Sequence, residues 1–367
     1  MGRIAAIAAA LILATVGVDT ARQAPAAGPY RVLKTARVAG EGSWDYIYAD
    51  VAARRLYIPR HPSSADLTKP GPPIIPTRLA IYDLDTLEPV GEIEGIGGHG
   101  AAVDPASNHG FASSKPVSMF DTKTLKRSKS IDVGAAEPDG IVFDGFNQRV
   151  YVFSHPTHSA TVIDARDGTV LGVIELGGVP EQGVPDGAGR LYVVMQDTPG
   201  SVTVVDVKTM KATAHYPLAD VGRCNGLALD AANRVLFAAC ATSGNPSAQP
   251  PQPRMVILRA DDGQVLTTLP LAGASDGAVF NPATMEVFSA QANGTLTIVK
   301  EHSPTKFEVE QTLQTMNGAR TLTFDSKTGH ILTMSDERGP APATPPGARP
   351  AKGTAVPGSF TLIMIGR

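Results

Sequence analysis

The chain has 367 residues, a formal charge of −3 and a sequence that is 43% apolar, 18% charged and 5% aromatic. Its 37 Gly and 30 Pro make up nearly a fifth of it, which excludes a helical bundle and points to many short strands joined by turns. The apolar share excludes a disordered chain, the slightly acidic balance removes any general electrostatic footprint for nucleic acid, and two cysteines exclude a disulfide scaffold, a Cys-rich zinc module and an iron–sulfur protein.

Residues 1–26 read as a secretory signal. Arg3 precedes an unbroken run of apolar and small residues over 4–18, about 22 Å of helix against a hydrocarbon core of about 30 Å. The run is short for a permanent anchor, and Ala24-Pro25-Ala26 offers small residues at cleavage spacing. No cysteine follows it, so lipid attachment is not expected, and no later stretch is apolar enough to cross a membrane as a helix. The expected mature protein is one soluble, monomeric domain over 28–367, periplasmic or secreted.

The rest of the chain repeats itself. Arg55-Leu56-Tyr57-Ile58, Arg149-Val150-Tyr151-Val152, Arg190-Leu191-Tyr192-Val193 and Arg234-Val235-Leu236-Phe237 each follow an aspartate by a few residues. Aligned first-strand positions fall at Asp50, Asp104, Asp144, Asp186, Asp230, Asn281 and Asp325. Pro-rich inserts within 61–77 and 241–253 lengthen two of the intervals; without them the period is near 40 residues, that of a four-stranded propeller blade. The last unit runs out after three strands, and the segment 31–38 has no blade of its own. The expected fold is therefore all-β, a seven-bladed propeller of four-stranded antiparallel blades, closed by the N-terminal strand 31–38 completing the last blade.

Tyr151-Val152-Phe153-Ser154 followed by Ala160-Thr161-Val162-Ile163-Asp164 resembles the YVTN (YncE-like) β-propeller repeat, and Tyr192-Val193-Val194 with Ser201 to Asp206 is similar. The resemblance covers the whole mature chain. Arg259 and Lys300 depart from it, standing where the second aspartate of a unit is expected. It implies the propeller architecture but no particular activity, because related propellers serve as binding proteins, surface-layer proteins and enzyme domains.

Some enzyme signatures occur without their context. Gly95-Ile96-Gly97-Gly98-His99-Gly100 fits a dinucleotide fingerprint, and Gly273-Ala274-Ser275-Asp276-Gly277 fits a nucleophile elbow. Each leads into a strand rather than a helix, which removes the physical basis of both motifs. No C-x-x-C-H or H-E-x-x-H occurs. The spacings Asp83…Thr86, Asp121…Thr124 and Asp206…Thr209 read as side-chain-capped turns rather than metal ligands. If Leu229 faces Val235, the hairpin register sets Cys224 opposite Cys240, close enough for a structural disulfide.

Residues just before the first strand of each blade should line the mouth of the central channel. They are Asp45, His99, Asp139, Gln182, Asn225, Asp276 and Arg320, with the sole tryptophan, Trp44, beside the first. The alignment of Gln182 needs a one-residue adjustment. The loops between second and third strands share that face, bringing the inserts 61–77, 241–253 and 337–358 together with His61, Lys115, His155 and His158. Polar residues there also suit a wet channel with tight blade entries. Loops on a rigid scaffold commonly carry binding, so the expected function is a ligand- or protein-binding or scaffolding module acting through this face. The alternative is a lactonase-like hydrolase using Asp139, His99 and Arg320, by analogy of fold. No cofactor is identified; a divalent cation such as calcium fits the carboxylates.

Overall fold

The computed structural model describes residues 28–38, 42–62, 76–134, 137–243, 252–343 and 353–367. The signal reading over 1–26 and the middles of the three long inserts lie outside the described residues. Among the described residues no helix is long and apolar enough to cross a membrane.

Seven four-stranded antiparallel sheets succeed one another along the chain. The third blade shows the pattern: Pro138–Asp144 pairs with Arg149–Ser154, which pairs with Ser159–Asp164, which pairs with Val170–Glu175. The innermost strand of every blade packs against those of both neighbours, and the last returns to the first, so the ring is closed. The middle strands are buried on both faces because each sheet is covered by a blade on either side. Hence Arg149–Ser154 reads as a nearly continuous apolar run, whereas the outer strand Val170–Glu175 is mostly exposed. Apolar layers fill the spaces between blades. Tyr151, Phe153 and Ile174 of the third blade meet Leu191, Val193 and Val205 of the fourth, each buried side chain contributing about 1.5–3 kcal/mol of transfer free energy.

The repeating aspartates shape turns. Side-chain Oδ1 of Asp104, Asp144, Asp186, Asp230, Asn281 and Asp325 accepts the amide two residues on at 2.8–3.1 Å. The second set does the same: Asp83 and Asp206 each accept the amides of the residues two and three ahead. Each such turn ends in a left-handed residue, Arg54 and Gln148 among them at φ 55° and 57°. The turn imposes that conformation despite its steric cost of about 1–2 kcal/mol.

Closure follows the expected scheme. Arg31–Arg37 is the outer strand of the last blade, antiparallel to Thr361–Gly366. Tyr30 and Arg367 then anchor both ends to the sixth blade. The Tyr30 amide donates to Gln311 and its hydroxyl to Glu286, while the Arg367 guanidinium also donates to Glu286.

Cys224 and Cys240 form a disulfide with an S–S distance of 2.07 Å. The register behind it differs from the expected one. Leu229 faces Leu236, not Val235, and a bulge between Cys224 and Gly226 shifts the pairing so that the two cysteines oppose each other. The pairing is as expected; the path to it is a bulge that the spacing does not reveal.

Candidate functional site

The bulge beside Cys224 has counterparts. The pairing of first and second strands slips between Pro138 and Ile141, between Pro180 and Gly183, between Cys224 and Gly226, and between Ser275 and Gly277. The unpaired residues there are Asp139 and Gly140, Glu181 and Gln182, Asn225, and Asp276. A bulge re-aims a side chain out of the ladder, and four of these six residues line the channel mouth. A glycine stands in or directly after each bulge for a steric reason. A Cβ on Gly140 would lie 2.9 Å from the carbonyl oxygen of Glu181, and one on Gly226 would lie 2.8 Å from the carbonyl carbon of Gly277. Neighbouring inner strands approach so closely there that no larger residue fits.

The mouth is a cavity of about 480 Å³ lined by residues of all seven blades, including Asp45, His99, Asp139, Glu181, Asn225, Asp276 and Arg320. Acids and bases alternate around it. Glu181 Oε1 lies 3.6 Å from His155 Nε2, which lies 2.9 Å from Asp139 Oδ2. Asp139 Oδ1 lies 3.4 Å from His99 Nδ1, which lies 2.9 Å from Asp45 Oδ2. Asp45 Oδ1 is 3.2 Å from Arg320 Nη2, Arg320 Nε contacts Asp276 Oδ2, and Asn225 donates to Asp276 Oδ1 at 2.6 Å. One arc thus joins four carboxylates through two imidazoles and one guanidinium.

The electrostatics follow from that order. Burial pushes the Glu181 carboxyl well above the usual carboxylate range, and the charges of Asp139 and Asp276 add to the push. Burial also raises Asp276, partly offset by Arg320. Burial acts on Asp45 in the same direction, but His99 and Arg320 outweigh it and hold that carboxyl below its ordinary value. Burial disfavours charge on His99 and His155, yet the adjoining Asp45 and Asp139 carboxylates raise both imidazoles above the usual histidine value.

A floor closes the mouth. Gln182 spans the channel, its Oε1 accepting the amides of Leu227 and Ala278 and its Nε2 donating to the Ala278 carbonyl. The Tyr46 hydroxyl donates to Glu181 Oε2 at 2.6 Å from the opposite wall. Below this floor lies a chamber of about 200 Å³, lined in part by Ile47, Ile141, Val279 and Leu322.

The residues singled out from the sequence are thus distributed over several places. Asp45, His99, Asp139, Asn225, Asp276, Arg320 and His155 share the mouth cavity. Gln182 lies in the floor, and its neighbour Glu181 takes the lining position, which is the one-residue adjustment its alignment needs. Trp44 packs against Phe360 with ring centroids 4.9 Å apart and lines an adjoining cavity of about 680 Å³ with Arg320 and Arg338. His61 stacks edge-on against His99 at 4.7 Å. His158 is exposed in a turn at φ 51° and does not line the mouth. Glu181 and Tyr46 are missing from the sequence reading; the only signal for Glu181 is that it precedes the polar–Gly pair Gln182-Gly183.

No family model matches the chain, and no curated protein matches it in sequence. Among solved structures it is similar to Kuenenia stuttgartiensis hydrazine synthase, with a TM-score of 0.66 and 14% identity over 81% of this chain and 94% of that one. At that identity the likeness establishes the fold that the strand topology already shows, a seven-bladed β-propeller.

Proposed function

We propose that this chain is an exported propeller of the YVTN type that binds a small, polar, cationic ligand in its channel mouth. The observation that carries the reading is the arc of four buried or half-buried carboxylates around one cavity, with a single guanidinium and two imidazoles between them. Four acidic groups gathered in one cavity, two of them pushed up chiefly by burial, are costly to hold there, and such arrangements mark sites more often than scaffolds. The cavity volume falls within the range of small-molecule sites, roughly 300–1,000 Å³, and favours a small ligand over a protein surface. The buried disulfide suits an oxidising compartment. Hydrolysis is the second reading, favoured by the 2.9 Å contact of His99 Nδ1 with Asp45, which orients an imidazole as a general base must be oriented.

The sole tryptophan lines the cavity that adjoins the mouth, beside Arg320, and supplies a reporter. Titration with spermidine and choline should change Trp44 fluorescence saturably and raise the melting temperature, and Asp276→Asn should weaken the effect by about 10-fold or more, one buried charge contact being worth 1.4 kcal/mol or above. Absence of any response to either cation, with Asp276→Asn no less responsive than wild type, would remove the binding reading. Sugar lactones incubated with the protein in a pH-stat test the hydrolase: turnover abolished by His99→Asn supports it, and no turnover ends it.

A further inference from the structure

The mouth contains two sets of metal-ligating atoms that share one residue. Asp45, His99 and Asp139 form the first set and Asp139, His155 and Glu181 the second, and within each set one atom per residue lies within 4.8 Å of the others. We propose that this arc binds a divalent first-row transition-metal ion through the second set, Asp139, His155 and Glu181. The inference deepens the mouth-binding reading above and rests on it.

Three observations carry it. The first is an unmet bonding requirement. Asp139 is only 8% exposed, and its Oδ1 has no hydrogen-bond partner. His155 Nε2 is also buried without one; its 2.9 Å approach to Asp139 Oδ2 lacks the alignment of a hydrogen bond. A buried carboxylate oxygen and a buried imidazole nitrogen left unsatisfied are costly, and a cation between them meets both requirements.

The second observation concerns the outer partners of the flanking carboxylates. Arg320 holds Asp45 by Oδ1, leaving Oδ2 toward His99. The Tyr46 hydroxyl holds Glu181 by Oε2, while Gln196 Nε2 donates to Oε1 and fixes it 3.6 Å from His155 Nε2. Hydrogen bonds that fix the far oxygen of a carboxylate orient the near one, as supporting partners do around metal sites.

The third is donor chemistry. Calcium and magnesium take oxygen ligands, whereas an imidazole beside two carboxylates suits zinc, iron or manganese. The donors come from the third and fourth blades, so a bound ion would tie those two together and raise the stability of the protein.

Tag-free protein is stripped with EDTA, exchanged into chelator-free buffer and titrated calorimetrically with ZnCl₂. Saturable binding at micromolar metal, a higher melting temperature, and nitrogen hyperfine splitting in the electron paramagnetic resonance spectrum of the Cu²⁺-loaded protein are expected. His155→Gln places an amide near the lost ring nitrogen and Glu181→Gln removes the second carboxylate; each should weaken binding by more than about 10-fold. Asp139→Asn should do the same while keeping the shape of the site. His158→Asn and His302→Gln, both away from the mouth, should bind as wild type. Failure of Zn²⁺ and Cu²⁺ to bind saturably, or binding unaltered in all three mouth variants, overturns the proposal. Calcium binding with no Zn²⁺ binding overturns it equally. A response to spermidine without metal binding leaves the mouth-binding reading standing alone, and loss of both responses removes both.

Discussion

Glu301 and Asp230 illustrate how a single buried contact ties stability to pH. Glu301 is 2% exposed, its Oε1 accepts from Asn233 at 2.9 Å, and its Oε2 has no donor. Burial, with the charge of Asp230 adding to it, pushes the Glu301 carboxyl up to about 7. A carboxyl raised in the folded state binds its proton more tightly there than in the unfolded chain, so stability falls as pH rises from about 4.5 toward 7. Glu301→Gln keeps the acceptor for Asn233 and supplies a donor where Asp230 Oδ2 also lacks one. It should stabilise the protein by about 1–2 kcal/mol at pH 8 and have little effect at pH 4. Urea melts of both proteins across that range measure it; an equal effect at both pH values would exclude the shared-proton account. The sequence offers Asp230 only as a turn aspartate and says nothing of Glu301, because the two belong to different blades and meet only when the fifth packs on the sixth.

At the scale of one element, the first strand of each blade carries two kinds of information. Its polar end and the Asx turn that follows are local, so the repeat of Asp104, Asp144 and Asp230 is legible from spacing alone. The bulge at its start is not. One extra unpaired residue turns Asp139, Glu181, Asn225 and Asp276 out of the sheet, and only the measured register shows where it falls. The disulfide hairpin combines the two. Cys224 and Cys240 oppose each other because the bulge between Cys224 and Gly226 corrects a register that would otherwise miss. The disulfide closes a loop with a sequence separation of 16 residues, so replacing both cysteines with alanine should cost about 2–3 kcal/mol. Thermal unfolding of the double variant, compared with wild type with and without reductant, measures this. A variant as stable as the wild type would show that the fifth blade needs no covalent tie.

For the whole molecule, the closing strand completes the last blade and joins the two ends of the chain. Arg31–Arg37 covers the edge of Thr361–Gly366, a strand buried along its full length. Deleting residues 28–37 should lower the melting temperature and increase self-association relative to the full chain, since an apolar strand edge with unpaired amides and carbonyls seeks another strand. A synthetic peptide of residues 28–38 added in trans should reverse both effects by strand addition. An unchanged association state and full stability after the deletion would mean that the inner-strand ring holds without its outer closure. The charged arc depends on the same closure. Asp45 and Arg320 lie at opposite ends of the sequence, and their 3.2 Å contact exists only because the last blade meets the first.

The sequence by itself determined the number of blades, the strand order within each, the closing strand and the end of the ring that carries the polar residues. These follow from short-range periodicity, in which a turn aspartate, a β-branched run and a glycine recur at fixed intervals, and each acts within a few residues of chain. Only the tertiary structure decided which polar side chains meet. It set Glu181 rather than Gln182 against the cavity, turned His158 away, brought His155 to 2.9 Å from Asp139, and left one oxygen of Asp139 without a hydrogen-bond partner. The reason is physical. Those contacts depend on bulges of one residue and on how seven sheets pack around an axis, and neither leaves a periodic mark in the chain.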